Sequence, residues 1–81
     1  MTKISDKDLE HLKWLMTRTQ GDEMGELIHW IKKLSKLTPN SNTIGKYYDF
    51  LIFGLAHPRN PGMKKTISQE LARITQWLLR N

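Results

Sequence analysis

Apolar side chains recur every three or four residues along most of this 81-residue chain, which is the spacing of one face of an α-helix. Two stretches rich in proline and asparagine, 38–42 and 57–62, interrupt the pattern. The pattern predicts one domain over residues 1–81, an all-α, largely antiparallel bundle of four short helices joined by short connections. The predicted helices span approximately residues 5–19, 22–37, 43–56 and 66–80.

The third predicted helix is the most apolar segment of the chain. One stripe of this helix comprises Ile44, Tyr47, Tyr48, Leu51 and Leu55, with Ile52 at its edge. Phe50 and Phe53 fall on the other side, so this helix needs apolar cover on two sides. It is therefore either the central helix of the bundle or part of a contact with another molecule.

A β-strand is the alternative for this segment, because tyrosine, phenylalanine and isoleucine favour strands. Gly45 and Gly54 also count against a helix, since glycine in a helix interior costs about 1 kcal/mol relative to alanine. The regular stripe favours the helix, as does Asn42 or Thr43 as a helix N-cap.

Polar residues mark the other helix ends. Ser5 is a predicted N-cap, with Asp6 and Asp8 in the first turn, where the helix dipole favours anions. Thr66 and Gln69 have the spacing of a capping box and predict the start of the fourth helix.

Charge is unevenly distributed along the chain. The net charge is +5; residues 1–26 hold four Lys or Arg against six acids, whereas residues 27–81 hold nine against two. Such asymmetry suggests an anionic partner. The chain has no cysteine, no signal-peptide pattern at its start and no apolar run of the roughly 20 residues that a membrane span needs. We therefore expect a cytoplasmic protein that does not bind membranes.

The sequence offers little for catalysis or cofactor binding. The three histidines are far apart and form no HExxH pair, so no metal site is predicted. No serine lies in a Gly-x-Ser-x-Gly turn, and the acids cluster at helix starts, where the dipole already accounts for them. We predict no catalytic residues, no cofactor and no small-molecule substrate, and thus no enzyme.

Two surfaces remain as candidate binding sites. Trp14, Phe50 and Phe53 each fall off the main stripe of their helix, which fits either wrapping within the bundle or a contact with a protein or a second copy. The second surface is basic and comprises Arg59, Lys64, Lys65, Arg73 and Arg80. Lys64 and Lys65 precede a predicted helix start, where an anion would bind, although a solvated basic loop is the simpler interpretation.

We predict a small non-enzymatic protein, accessory, regulatory or inhibitory, that docks on another protein through Trp14, Phe50 and Phe53. The partner is an acidic protein or a second copy of the chain. Nucleic-acid binding through the basic residues is the alternative. If the second and fourth helices lie side by side, Lys32, Lys33 and Lys36 would join Arg73 and Arg80 in one basic face.

Overall fold

The computed structural model describes residues 2–18, 24–57 and 61–80. Within these ranges the chain forms four α-helices around one hydrophobic core, which confirms the predicted all-α bundle. The helices are α1 (Asp6–Arg18), α2 (Met24–Leu34), α3 (Ile44–Ala56) and α4 (Pro61–Arg80).

The packing order of the helices differs from their order along the chain. α1 packs on α2 and α3, and α4 packs on the same two helices, so the four form a ring in the order α1, α2, α4, α3. Contacts near the ends of the helices show that consecutive helices are antiparallel, whereas α1 runs parallel to α3 and α2 runs parallel to α4. The segment 35–43 therefore crosses one end of the bundle between helices that do not pack on each other in the described structure.

A reciprocal hydrogen-bond pair caps α1. The Asp8 backbone N–H donates to the Ser5 hydroxyl at 3.3 Å, and the Ser5 backbone N–H donates to the Asp8 carboxylate at 2.8 Å. This capping box confirms Ser5 as the N-cap. It fixes the direction in which residues 2–5 leave the helix.

Residues 2–5 form an extended segment that pairs with the connection between α2 and α3. The Ile4 N–H donates to the Thr38 carbonyl at 3.0 Å, and the Thr38 N–H donates to the Thr2 carbonyl at 2.9 Å. The Ile4 side chain is buried in the core. This short parallel β-bridge has no counterpart in the sequence prediction.

The predicted third helix is confirmed in α3. Its buried stripe is Tyr47, Leu51 and Gly54, while Tyr48, which also fits the predicted stripe, is exposed. Thr43 occupies the N-cap position but makes no capping bond to the helix. Its hydroxyl instead donates to the Ile4 carbonyl at 2.9 Å, so it holds the N-terminal segment against the bundle.

α4 begins at Pro61 and not near residue 66, so the predicted start of the fourth helix is wrong. Proline suits the first turn of a helix, because its fixed φ is helical and its missing N–H would have no partner there. Thr66 lies inside the helix and is buried, which rules out the proposed capping box. Lys64 and Lys65 are consequently helical residues and do not belong to a loop.

Candidate functional site

A shallow groove runs between the parallel helices α1 and α3. The two predicted anchors on α3, Phe50 and Phe53, line it together with residues of α1. Its volume is about 310 Å³. The surface that its lining residues expose inside the groove is almost entirely apolar. We call it the α1–α3 groove; its lining residues are Lys13, Met16, Thr17, Asp49, Phe50 and Phe53.

The two phenylalanines of this groove are buried to different degrees. Phe50 is half-buried and packs against the core. Phe53 is 55% exposed, with its ring 4.9 Å from that of His57 on the next turn. Phe53 lies between the groove and a second cavity, which Leu27 and Met63 also line. It is a large apolar side chain that the described structure leaves mostly uncovered.

The contact between α1 and α3 is polar near the starts of the two helices. Lys13 and Phe50 also line a neighbouring depression with Asp6, Glu10 and Lys46. There the Lys46 ammonium lies 3.6 Å from the Asp6 carboxylate in an exposed ion pair. Charged residues thus flank the α1–α3 groove, with Lys13 on its α1 side and Asp49 on its α3 side.

Trp14, the third predicted anchor, lies elsewhere on α1. Its ring stacks on His11 with centroids 5.6 Å apart, and His11 meets the edge of Trp30 on α2 at 4.4 Å. The Trp30 indole N–H donates to the Asp8 carbonyl at 3.3 Å. Trp14 is 45% exposed and belongs to this α1–α2 aromatic cluster, so the structure does not bring it together with Phe50 and Phe53.

The predicted basic residues are dispersed. Arg59 lies outside the described residues. Lys64 and Lys65 are exposed in the first part of α4, and Arg80 is exposed at its end. Arg73, which the sequence analysis assigns to the basic surface, is half-buried and engaged within the protein.

Arg73 forms the centre of a hydrogen-bond network that joins three helices. Its Nε and Nη2 donate to the Glu70 carboxylate at 2.6 and 2.7 Å. Its Nη1 and Nη2 donate to the carbonyls of Leu37 and Leu34 at 3.1 and 3.3 Å. Leu34 is the last residue of α2 and its carbonyl also accepts the Leu37 N–H at 3.0 Å, whereas Leu37 lies in the turn that follows the helix. Arg73 therefore caps the end of α2 from α4.

The buried carboxylate of Glu70 also accepts a hydrogen bond from the Tyr47 hydroxyl on α3. Burial, the Glu70 charge and this hydrogen bond together raise the pKa of Tyr47 far above its usual value. The hydrogen bond to Glu70 also raises the pKa of Arg73. Within the network, every polar atom of these three side chains has a hydrogen-bond partner in the protein.

A second apolar groove, which sequence reasoning missed, lies between α3 and α4. Tyr48 on α3 and Leu78 and Leu79 on α4 line it, and Leu79 is 83% exposed. The buried apolar residues of α4, Met63, Ile67 and Ile74, lie on one side of the helix. Leu79 lies off that side, and this position is the signal that could have found it. Tyr48 was missed because it shares the stripe of Tyr47, and only packing separates the two tyrosines.

The described residues include no cluster of three or more His, Asp or Glu that could bind a metal ion. In the same part of the chain, no helix combines the length and the apolarity needed to cross a bilayer.

No protein-family model, curated protein sequence or solved structure matches this chain. Function is therefore inferred from the geometry of its own residues.

Proposed function

We propose that this chain is a small, cytoplasmic, non-enzymatic protein that docks on another protein through the α1–α3 groove, as an accessory, regulatory or inhibitory factor. The observation that carries this proposal is Phe53, which is 55% exposed beside the half-buried Phe50 in an apolar groove. Covering a phenylalanine side chain fully is worth about 1.5–3 kcal/mol. A partner that covers Phe53 would gain part of this energy.

An amphipathic helix is the occupant that best suits the groove. Two parallel helices border it, and a third helix can lay its apolar face between them. Lys13 stands on one rim and Asp49 on the other. We therefore expect a partner helix whose apolar stripe has an acid on the side facing Lys13 and a base on the side facing Asp49.

Phe50 and Phe53 would be the energetic centre of this contact, because aromatic residues in desolvated pockets dominate interface energies. Trp14 lies on the α2 side of α1, away from the groove. It would therefore contact only a partner that extends around α1. The net positive charge of the molecule would assist the approach of an acidic partner, mainly through the association rate.

Two adjacent residues of α3 provide a matched test. Phe53 lines the groove, whereas Ile52 is 42% exposed but is not among the groove residues. We would isolate and identify the protein that the chain binds in nuclease-treated host lysate. The affinity of the purified pair would then be measured for the wild type, Phe53→Asp and Ile52→Asp. Circular dichroism would verify that both variants fold.

We expect Phe53→Asp to weaken binding by at least about 30-fold, which corresponds to the 2 kcal/mol that defines an interface hot spot. Ile52→Asp should stay within a few-fold of the wild type. Equal losses in both variants, or no loss in Phe53→Asp, would contradict the proposed groove. If the groove instead binds a second copy, light scattering of the purified wild type will give twice the monomer mass, and Phe53→Asp will be monomeric.

A further inference from the structure

Among the described residues of α2 and α4, Glu26 in the first turn of α2 is the one exposed acid. Glu70 is the only acid in α4, and it is buried and paired with Arg73. From Leu27 to its end, α2 also lacks acids. Beyond the first turn of α2, the described side chains that α2 and α4 expose are therefore cationic or neutral.

The two helices carry their cations toward a shared groove. Lys32 of α2 and Gln69 of α4 line that groove directly, above the Glu70–Arg73 pair. Helical spacing places Lys65, Gln76 and Arg80 of α4 on the same outward side, and Lys36 is exposed in the turn that follows α2. We call this surface the basic face; it comprises Lys32, Lys36, Lys65, Gln69, Gln76 and Arg80.

Arg73 holds the two halves of the basic face in register. Its hydrogen bonds to the Leu34 and Leu37 carbonyls join the end of α2 to the middle of α4. Because the α4 backbone from Lys65 to Arg80 rises by about 22 Å, the cations are spread along a line and not concentrated at one point. A preformed row of cations of this length matches several successive phosphates of a duplex.

The helix dipole explains only some of these cations. Lys32 lies in the last turn of α2, where a positive charge is stabilised. α4, in contrast, begins without an acid in its first turn and places Lys64 and Lys65 near its positive end. This arrangement is unfavourable within the chain and would become favourable beside an anion.

We propose that the basic face binds the phosphate backbone of a nucleic-acid duplex without reading its sequence. Lysine and arginine would contact phosphates, and the Gln69 and Gln76 amides would donate further hydrogen bonds. This proposal is independent of the α1–α3 groove, which lies across the molecule between other helices. Arg73 is not one of the phosphate contacts, because its guanidinium already bonds groups within the protein. Lys32 and Lys36 provide contacts in its place.

The test is fluorescence anisotropy with a labelled duplex of about 20 base pairs and mixed sequence, in DNA and RNA forms, at several salt concentrations. If four cations each neutralise one phosphate, the affinity should fall about 100-fold between 50 and 200 mM salt. We expect similar affinities for several unrelated sequences. Strong preference for DNA or for RNA would show which duplex the face fits.

Charge-matched variants separate the basic face from net charge. Lys32→Gln with Lys65→Gln removes two cations from the face, and Lys7→Gln with Lys46→Gln removes two exposed cations from α1 and α3. We expect the first pair to lower the salt slope by about 2 and the second pair to leave it unchanged. Equal effects of both pairs, or no duplex binding at 50 mM salt, would overturn the proposal without affecting the groove.

Discussion

Gly54 permits the close approach of α3 to its neighbours. A Cβ at this position would lie 2.7 Å from Ile67 Cδ1 and 3.2 Å from Met16 Cε, whereas a Cβ at Gly45 would meet nothing within 4 Å. Both glycines weaken the sequence prediction of a helix, but only Gly54 is required by packing. That distinction depends on helices distant in sequence and could not be predicted from α3 alone.

We predict that alanine affects stability differently at the two glycines. Gly45→Ala should stabilise the fold by up to about 1 kcal/mol through helix propensity. Gly54→Ala makes the same propensity gain but must displace the terminal methyl groups of Ile67 and Met16 in the core, so it should be less stable than Gly45→Ala by about 1 kcal/mol. Urea unfolding of both variants measures this difference. A Gly54→Ala variant as stable as Gly45→Ala would show that α3 packs less closely than described.

The raised pKa of Tyr47 predicts that the protein loses stability in alkaline solution. Its pKa is raised in the folded protein, so above pH about 10 the unfolded chain loses this proton and the folded chain keeps it. The contribution of this proton to the free energy of unfolding is therefore fully present below pH 10. Well above pH 10 the free energy of unfolding falls by about 1.4 kcal/mol per pH unit.

The measurement compares unfolding free energies at pH 9 and pH 11 for the wild type, Tyr47→Phe and Tyr48→Phe. Tyr47→Phe should remove about 1.4 kcal/mol of the alkaline loss, because phenylalanine does not titrate. Tyr48 is exposed, so its variant should retain the wild-type loss. Identical pH dependence in the two variants would contradict a buried, hydrogen-bonded Tyr47 hydroxyl.

At the scale of elements, local patterns predicted helix existence better than helix ends. α1 was predicted closely because Ser5 and Asp8 provide a local capping signal. The start of α4 was missed because Pro61 was assigned to the break, although proline is equally suited to the first helical turn. The bridge between residues 2–5 and Thr38 was missed because it joins segments distant in sequence.

This N-terminal bridge gives a test at the element scale. Ile4→Ala truncates a buried side chain and should cost about 2–4 kcal/mol, while Lys3→Ala, at an exposed neighbour, should cost little. Hydrogen exchange should accelerate in Ile4→Ala for the Thr38 amide, which donates to Thr2. Unchanged Thr38 exchange would mean that residues 2–5 do not depend on Ile4 for their placement.

At the scale of the whole molecule, the packing order determines which surfaces exist. The charge difference between the two parts of the chain is visible in the sequence. The ring α1, α2, α4, α3 converts it into a basic α2–α4 side, and it also places Phe50 and Phe53 beside α1. Periodicity shows which residues share a helix face but not which helix covers that face. For this reason the sequence pattern groups Trp14 with Phe50 and Phe53, although the structure places Trp14 apart from them.

Photo-crosslinking from two adjacent positions tests the docking groove most directly. A photoreactive phenylalanine analogue would replace Phe53 in one protein and Ile52 in another, and crosslinked peptides would be mapped in host lysate treated with nuclease. The account predicts that position 53 crosslinks one partner protein, within an amphipathic helix flanked by an acid and a base, and that position 52 does not. Equal crosslinking from both positions, or crosslinking of position 53 to many unrelated proteins, would contradict it.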